Sequence, residues 1–272
     1  MGLRVNTNIT SLTAQRNLGN VSSRLQGNFS RLSSGLRVAT AADDAAGLGI
    51  SERMRSQIRS YGAAARNAQD GISLVQTAEG ALNEASNILG RMRELAVQAS
   101  NGTLSAADRT TINDEVTALT AELDRIASST EFNGVALLDG TTATAEIQVG
   151  INASETIDVT LQDTTTATLG VDTVAVDTAA NANTAIGLID TAIDTVNTAR
   201  GALGASQNRL TSAYTSIQSA RENLSAAESR IRDVDVAYET ADLTRNSILQ
   251  QAAVSVLSQA NVQPQLALRL LG

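Results

Sequence analysis

The stretch IDTAIDTVNTARGALGASQNRLTSAYTSIQSARENLSAAESRIRDVDVAY (189–238) repeats by sevens. Steps from Ile189 meet Val196, Leu203, Leu210, Ile217, Leu224, Ile231 and Tyr238. Steps from Ala192 meet Ala199, Ser206, Ala213, Ala220, Ala227, Val234 and Ala241. A heptad held this long predicts a coiled-coil helix. One seam is large and the next small, so a partner helix can come close. One helix over most of 187–232 would be roughly 70 Å long at about 1.5 Å per residue, more than a compact domain needs.

A partner with the same pattern lies in the first half. Met54, Tyr61, Ala68, Val75, Leu82, Leu89 and Ala96 form its large row, and Ala64, Gly71, Ala78, Ala85, Met92 and Ala99 its small one. Asn101-Gly102 is a short break, which predicts that the next helix folds back as an antiparallel neighbour. That helix opens at Ser105, an N-cap with Asp108 as the reciprocal acid, and runs through Ile112, Val116, Leu119, Leu123 and Ile126. Residues 128–170 change period. Asn133-Gly134 is a tight-turn pair, and AEIQVGINASETIDVTL (145–161) alternates as two short strands about a turn near Asn152 to Ser154.

At the chain ends Val5, Ile9, Leu12, Leu18, Val21, Leu25, Phe29 and Leu32 mark a helix closing before Gly35. Ile248, Leu249, Ala252, Val256, Leu257 and Ala260 mark another, expected to close at Pro264. Neither has a sequence-adjacent partner, and a lone amphipathic helix is marginal in water. The ends therefore pair with each other, pair with other copies, or stay disordered until they do. The predicted class is mainly α: a long antiparallel, coiled-coil-like bundle of N- and C-terminal halves, with a small β-hairpin region at about 131–170. Expected domains are 1–42 with 243–272, folding on assembly, and 43–242 as the bundle, with no large insertion between strands and last long helix.

Composition excludes much chemistry. The 272-residue chain has no His and no Cys, and all 20 of its basic residues are Arg. It thus lacks the usual general base, the commonest zinc ligands, a thiolate nucleophile, Schiff-base lysines and a P-loop lysine. No enzyme and no cofactor is expected, and GLGIS (47–51) follows no strand and lacks dinucleotide-binding spacing. No run reaches the roughly 18–20 apolar residues of a membrane span, and MGLRVNTNITSLTAQRN has no apolar core of a signal peptide. Net charge is −8. Residues 1–42 hold five Arg and no acid, whereas 139–199 hold nine acids and no base. The acidic balance, with no aromatics between the arginines, argues against nucleic acid. A solvated outward face is expected for 139–199. Asp43 and Asp44 complement a helix dipole or pair with Arg of another copy.

Several segments, in order, resemble bacterial flagellin: LSSGLRVATAADDAAGLGISERMRSQI (32–58), RELAVQASNGTLS (93–105), EFNGVALLDG (131–140), IQVGINASETIDV (147–159) and SRIRDVDVAYETADLTRNSILQQAAVSVLSQANVQPQLALRLL (229–271). The chain is similar to a short, core-only flagellin of alphaproteobacterial type, departing from the family pattern at Ala39 and at VQPQ (262–265). The resemblance implies a structural subunit of the extracellular flagellar filament, a helical homopolymer of flagellin copies. It implies that the terminal helices line an inner tube and that export needs no cleaved signal peptide. It also implies partners: an export chaperone, hook-associated and cap proteins, and a flagellin-sensing Toll-like receptor of the host. Assembly residues on this reading are Val5, Ile9, Leu12, Leu25, Arg31, Leu32, Arg37, Asp43, Asp44, Ile248, Leu249, Val256, Leu257, Leu266 and Leu270. Receptor residues are Arg91, Leu95 and Glu115. The alternative is a minor junction or cap protein related to flagellin, or a secreted coiled-coil binding protein.

Overall fold

The computed structural model describes residues 7–269, with side chains as far as 262. Six helices and two hairpins follow in order: α1 (Ile9–Ser34), α2 (Ala45–Ala99), α3 (Ala106–Ser129), β1 (Glu131–Phe132), β2 (Val135–Ala136), β3 (Thr144–Gln148), β4 (Thr156–Thr160), α4 (Thr166–Leu169), α5 (Ala179–Arg232) and α6 (Val236–Arg269). There are two compact units. One holds the described residues up to Ser56 and from Asn223, the other Gln57–Glu222, and each boundary falls inside a helix.

In the Gln57–Glu222 unit the two heptad rows meet. Arg93 Nε donates to Asp190 at 2.6 Å, Gly71 abuts Leu210, and Tyr61 packs by Ile217, so numbers fall along α2 as they rise along α5. The pairing is antiparallel. Val75, Leu82 and Leu89 of the large α2 row and Ala78, Ala85 and Met92 of the small row are all buried. They face Ile189, Val196, Leu203 and Leu210 of α5, equally buried. Each leucine so buried contributes about 1.5–3 kcal/mol. α5 begins at Ala179, earlier than its apolar pattern suggests. Its first turns bury only Ala182 and Ala185, small residues that periodicity by large side chains passes over, and Thr178 Oγ1 caps it by accepting from Asn181 N at 3.1 Å.

Helix α3 returns along α2, as the short Asn101-Gly102 break requires, with Arg91 Nη2 donating to Glu115 at 2.8 Å. Its capping box is complete: Ser105 Oγ accepts from Asp108 N at 3.3 Å, and Asp108 Oδ2 accepts from Ser105 N at 3.0 Å. Asn133 (φ 50°) and Gly134 (φ 77°) make the tight turn between β1 and β2, both in the left-handed region such a turn needs. In the β3–β4 hairpin Ala145 faces Val159 and Ile147 faces Ile157. These alternate residues turn to the core, and Asn67 Nδ2 donates to Gln148 O at 3.1 Å, pinning the hairpin to α2. The following loop is fastened to α3, where Asn113 Oδ1 accepts from Val176 N at 2.8 Å. None of the nine acids of 139–199 is buried, and Asp190 pairs with Arg93.

In the other unit α1 and α6 pair antiparallel, from Asn8 beside Ala260 to Arg31 beside Glu239. α1 ends where Gly35 adopts φ 71° and its N–H reaches Arg31 O, the left-handed cap that glycine accepts without strain. Residues 35–38 then lie along the break between α5 and α6: Arg37 N donates to Arg232 O at 2.7 Å and Val234 N to Gly35 O at 3.0 Å.

One expectation fails here. α6 does not close at Pro264 but runs on to Arg269. A proline inside a helix normally costs about 3 kcal/mol, through a lost N–H donor and a clash with the carbonyl four residues back. That carbonyl is Ala260 O, and it accepts from Asn8 Nδ2 at 2.8 Å instead.

Candidate assembly surface

The α1–α6 pair presents both a seam and an outer face. On α1 the inward positions are Ser11, Ala14, Leu18, Val21, Leu25, Asn28 and Leu32, spaced alternately three and four. On α6 they are Glu239, Leu243, Asn246, Gln250, Ala253, Leu257 and Ala260, spaced four and three. This is heptad packing with a polar centre. Asn28 Nδ2 donates to Glu239 Oε1 at 2.7 Å, and Asn246 Nδ2 donates to Asn28 Oδ1 at 3.0 Å. All three residues are buried, and Arg31 stands 3.8 Å from the same carboxylate. The network links Asn28 to two residues of α6 one heptad apart, so a slip by one heptad would strand either the Glu239 carboxylate or the Asn246 amide in the seam. It therefore fixes register.

Several large apolar residues point elsewhere. Ile9 is 61 % exposed, Leu12 56 %, Ile248 61 %, Leu249 43 % and Val256 59 %. At about 100° per residue, Ile248 lies opposite the seam of α6 and Val256 about 80° round from it, while Leu249 stands at the exposed edge of the seam. The expected assembly residues thus divide. Leu25, Leu32 and Leu257 are half-buried in the seam, and Ile9, Leu12, Ile248, Leu249 and Val256 face outward. Val5 and Leu270 lie outside the described residues, as does the Leu266 side chain.

The charged candidates have local partners. Arg37 Nη2 donates to Ile231 O at 2.5 Å. Asp43 Oδ2 accepts from Ala39 N, Thr40 N and Thr40 Oγ1, holding 39–43 as a closed loop. The backbone and hydroxyl hydrogen bonds from Thr40 keep its pKa below the ordinary value. Asp44 Oδ1 accepts from Gly47 N at 2.8 Å as the N-cap of α2. Close by, Arg232 donates to Glu52 at 2.8 Å, and this bond, with the one from Arg55, lowers the Glu52 pKa.

Of the receptor candidates, Arg91 and Glu115 form a half-exposed ion pair between α2 and α3. Hydrogen bonds to Glu115 and then Glu94 raise the Arg91 pKa. Leu95 is 2 % exposed in the core, so a partner docking on this folded face would not touch it. Its place three residues after Met92, on the same face of α2, is the signal for burial. Among the described residues no cluster of acids suits a metal ion, and no helix is long and apolar enough to cross a membrane.

The sequence missed the polar residues of the terminal seam and Asn8. Searching apolar residues alone passes over Asn28, Glu239 and Asn246, although Glu239, Asn246, Ala253 and Ala260 are spaced by sevens.

Comparison with known proteins agrees with this architecture. The bacterial flagellin N-terminal helical region matches residues 5–143, and the flagellin C-terminal helical region matches 186–271. A flagellin of Halalkalibacterium halodurans is 48 % identical over 98 % of this chain and 99 % of its own length. A Treponema phagedenis flagellar filament 33 kDa core protein is 45 % identical over 98 % and 99 %. The crystal structure of Bacillus cereus flagellin superposes with a TM-score of 0.52 at 38 % identity, covering 60 % of this chain and 94 % of that one. These relatives lend no support to the alphaproteobacterial type. Two terminal helical regions matched in order, with relatives aligned almost end to end, establish that the chain belongs to the bacterial flagellin family.

Proposed function

We infer that this non-enzymatic chain is a subunit of the flagellar filament whose contacts with other copies are made by the outward apolar face of the terminal helix pair. The observation that carries it is the placement of Ile9, Leu12, Ile248, Leu249 and Val256 on the surface of helices whose seam is already filled. Exposed apolar rows of this kind mark interaction surfaces. Terminal segments 1–42 and 243–272 lining an inner tube, and a core-only build without outer insertions, belong to the same reading. The Halalkalibacterium relative, matched over 99 % of its length, supports the second.

Family membership also supports export without a cleaved signal peptide, an export chaperone, and hook-associated and cap partners. A host Toll-like receptor contact on α2 and α3 rests on the exposed Arg91–Glu115 pair.

The test is polymerisation of Ile248→Asp and Val256→Asp. Each carboxylate would sit in water in the monomer, so far-UV circular dichroism should match the parent. Burial between copies would desolvate it at a cost of several kcal/mol, and filaments should disappear from negative-stain images. Parent-like filaments from both variants would refute the surface assignment. A parent chain that stays monomeric while homologous flagellin polymerises would refute the subunit reading and favour a junction or cap protein.

A further inference from the structure

We propose that the turn between α2 and α3 is a self-modifying site, in which Gly102 N attacks the Asn101 side-chain amide, converts it to a carboxylate and releases ammonia. Two hydrogen bonds point to this chemistry, one on each reacting group. Thr103 N donates to Asn101 Oδ1 at 3.3 Å, so the carbonyl that receives the attack is polarised and its developing oxyanion has a donor in place. Arg109 Nη2 donates to Asn101 O at 2.8 Å, and Arg109 Nε, donating to Ala99 O at 2.9 Å, fixes the guanidinium there. Asn101 O belongs to the peptide whose nitrogen is the nucleophile. A cation on that oxygen stabilises the anion left when Gly102 N–H loses its proton. Among the described residues Gly102 N donates to no backbone carbonyl, both residues are exposed, and glycine has no Cβ to obstruct the approach.

The step balances without a cofactor. The Gly102 amide proton passes to solvent base, the nitrogen pair bonds Asn101 Cγ, and the tetrahedral carbon expels its amino group, protonated, as ammonia. Water then opens the succinimide at either carbonyl, giving aspartate or isoaspartate and one more negative charge per chain. In the isoaspartyl product the main chain runs through the former side chain, and the freed carboxylate is the former Asn101 carbonyl, the group Arg109 already holds. The chain's other Asn-Gly pair is built differently. Asn133 (φ 50°) and Gly134 (φ 77°) are locked in the β1–β2 turn, and cyclisation would swing their shared peptide out of it and break the Phe132–Val135 pairing.

Incubation of the full-length monomer at neutral pH, with peptide mass spectrometry by fragmentation that separates aspartate from isoaspartate, tests the site. Asn101 should lose its amide at least about five-fold faster than Asn133, which must first break about one net hydrogen bond of its hairpin. Arg109→Gln should slow Asn101 by about five-fold, again one hydrogen bond, and leave Asn133 unchanged. In denaturing urea the Arg109→Gln effect should vanish, because the guanidinium then has no fixed place. Far-UV circular dichroism of the variant should match the parent. Asn133 keeping pace with Asn101 in the folded chain would overturn the proposal, as would Asn101 retaining its amide there. So would an Arg109→Gln chain that converts at the parent rate or faster, or a slowing that persists in urea.

Discussion

Gly71→Ala and Gly62→Ala are the same substitution in the same helix and should have opposite signs. Replacing a helix-interior glycine by alanine lowers the entropy of the unfolded chain and stabilises by about 0.5–1 kcal/mol where the new methyl meets nothing. At Gly62 and Gly80 a Cβ would find no atom within 4 Å. At Gly71 it would lie 3.1 Å from Ile147 Cγ1, 3.2 Å from Ile147 Cγ2 and 3.3 Å from Leu210 Cδ1. Carbon pairs rest at about 3.5–4.0 Å, so all three contacts are short by some tenths of an ångström.

Relief requires movement of residues that are held. Leu210 is fully buried, and Ile147 sits in β3, paired with Ile157 and tethered next door by Asn67. Overpacking of this kind costs about 1–3 kcal/mol, against the propensity gain of up to about 1 kcal/mol. Gly71→Ala should therefore be destabilising by about 1 kcal/mol. In urea unfolding of the monomer at neutral pH the Gly71→Ala midpoint should fall while the Gly62→Ala and Gly80→Ala midpoints rise. Ile147→Ala removes both crowding γ-carbons, so the double variant should lose less than the sum of the single changes, by about 0.5 kcal/mol or more. If Gly71→Ala stabilises as much as Gly62→Ala, the three-way approach of α2, β3 and α5 is wrong.

Two further outcomes follow from burial and charge. Leu203→Ala empties a site 2 % exposed and should cost about 2–5 kcal/mol in urea unfolding, whereas Leu188→Ala, at 38 % exposed, should cost well under half of that. Asp43, Glu52, Asp108, Glu122 and Asp190 all have pKa values lowered by hydrogen bonds from Thr40, Arg232, Ser105, Arg125 and Arg93 respectively. Depressed carboxylates stabilise above their unfolded values, 4.5 for Glu and 3.8 for Asp, and that stability is lost as pH falls through and below them. With no His in the chain, the melting temperature should be nearly flat from about pH 5 to 8 and drop below about pH 4.5; a step between about pH 6 and 7 would contradict this.

The long central helices were legible because their seams are built from side chains that alternate large and small by sevens over many turns. The Ser105 box and the Asn133-Gly134 turn were legible because their chemistry is local. What escaped reading depends on distant partners or on the lack of large side chains. Ala182 and Ala185 pack fully but leave no periodic trace in a row of threonines and asparagines, so the apolar pattern begins later than α5 does. Pro264 reads as a helix end until Asn8, at the opposite end of the chain, supplies the bond that proline omits. Leu95 enters by resemblance as a receptor residue, although it follows Met92 by three on the same face of α2 and is buried with it.

The two helix pairs differ in where they put their large side chains, and this has an energetic consequence. α2 and α5 bury Leu82, Leu89, Leu203 and Leu210 between them, whereas α1 and α6 bury Ser11, Asn28, Glu239 and Asn246 and expose Ile248 and Val256. A polar seam specifies register while adding little net stability. Asn28→Leu alone would leave the buried Glu239 carboxylate without its amide donor, and should cost about 1–3 kcal/mol. The triple change Asn28→Leu, Glu239→Leu and Asn246→Leu removes every member of the network together, and should be neutral or stabilising despite making more substitutions. The same triple variant has lost what distinguishes one heptad register from the next, so its filaments should form more slowly and with irregular diameter. Single and triple variants equally destabilised, or a triple variant that polymerises like the parent, would show that the seam holds α1 to α6 by ordinary packing and that Asn28, Glu239 and Asn246 do not set its register.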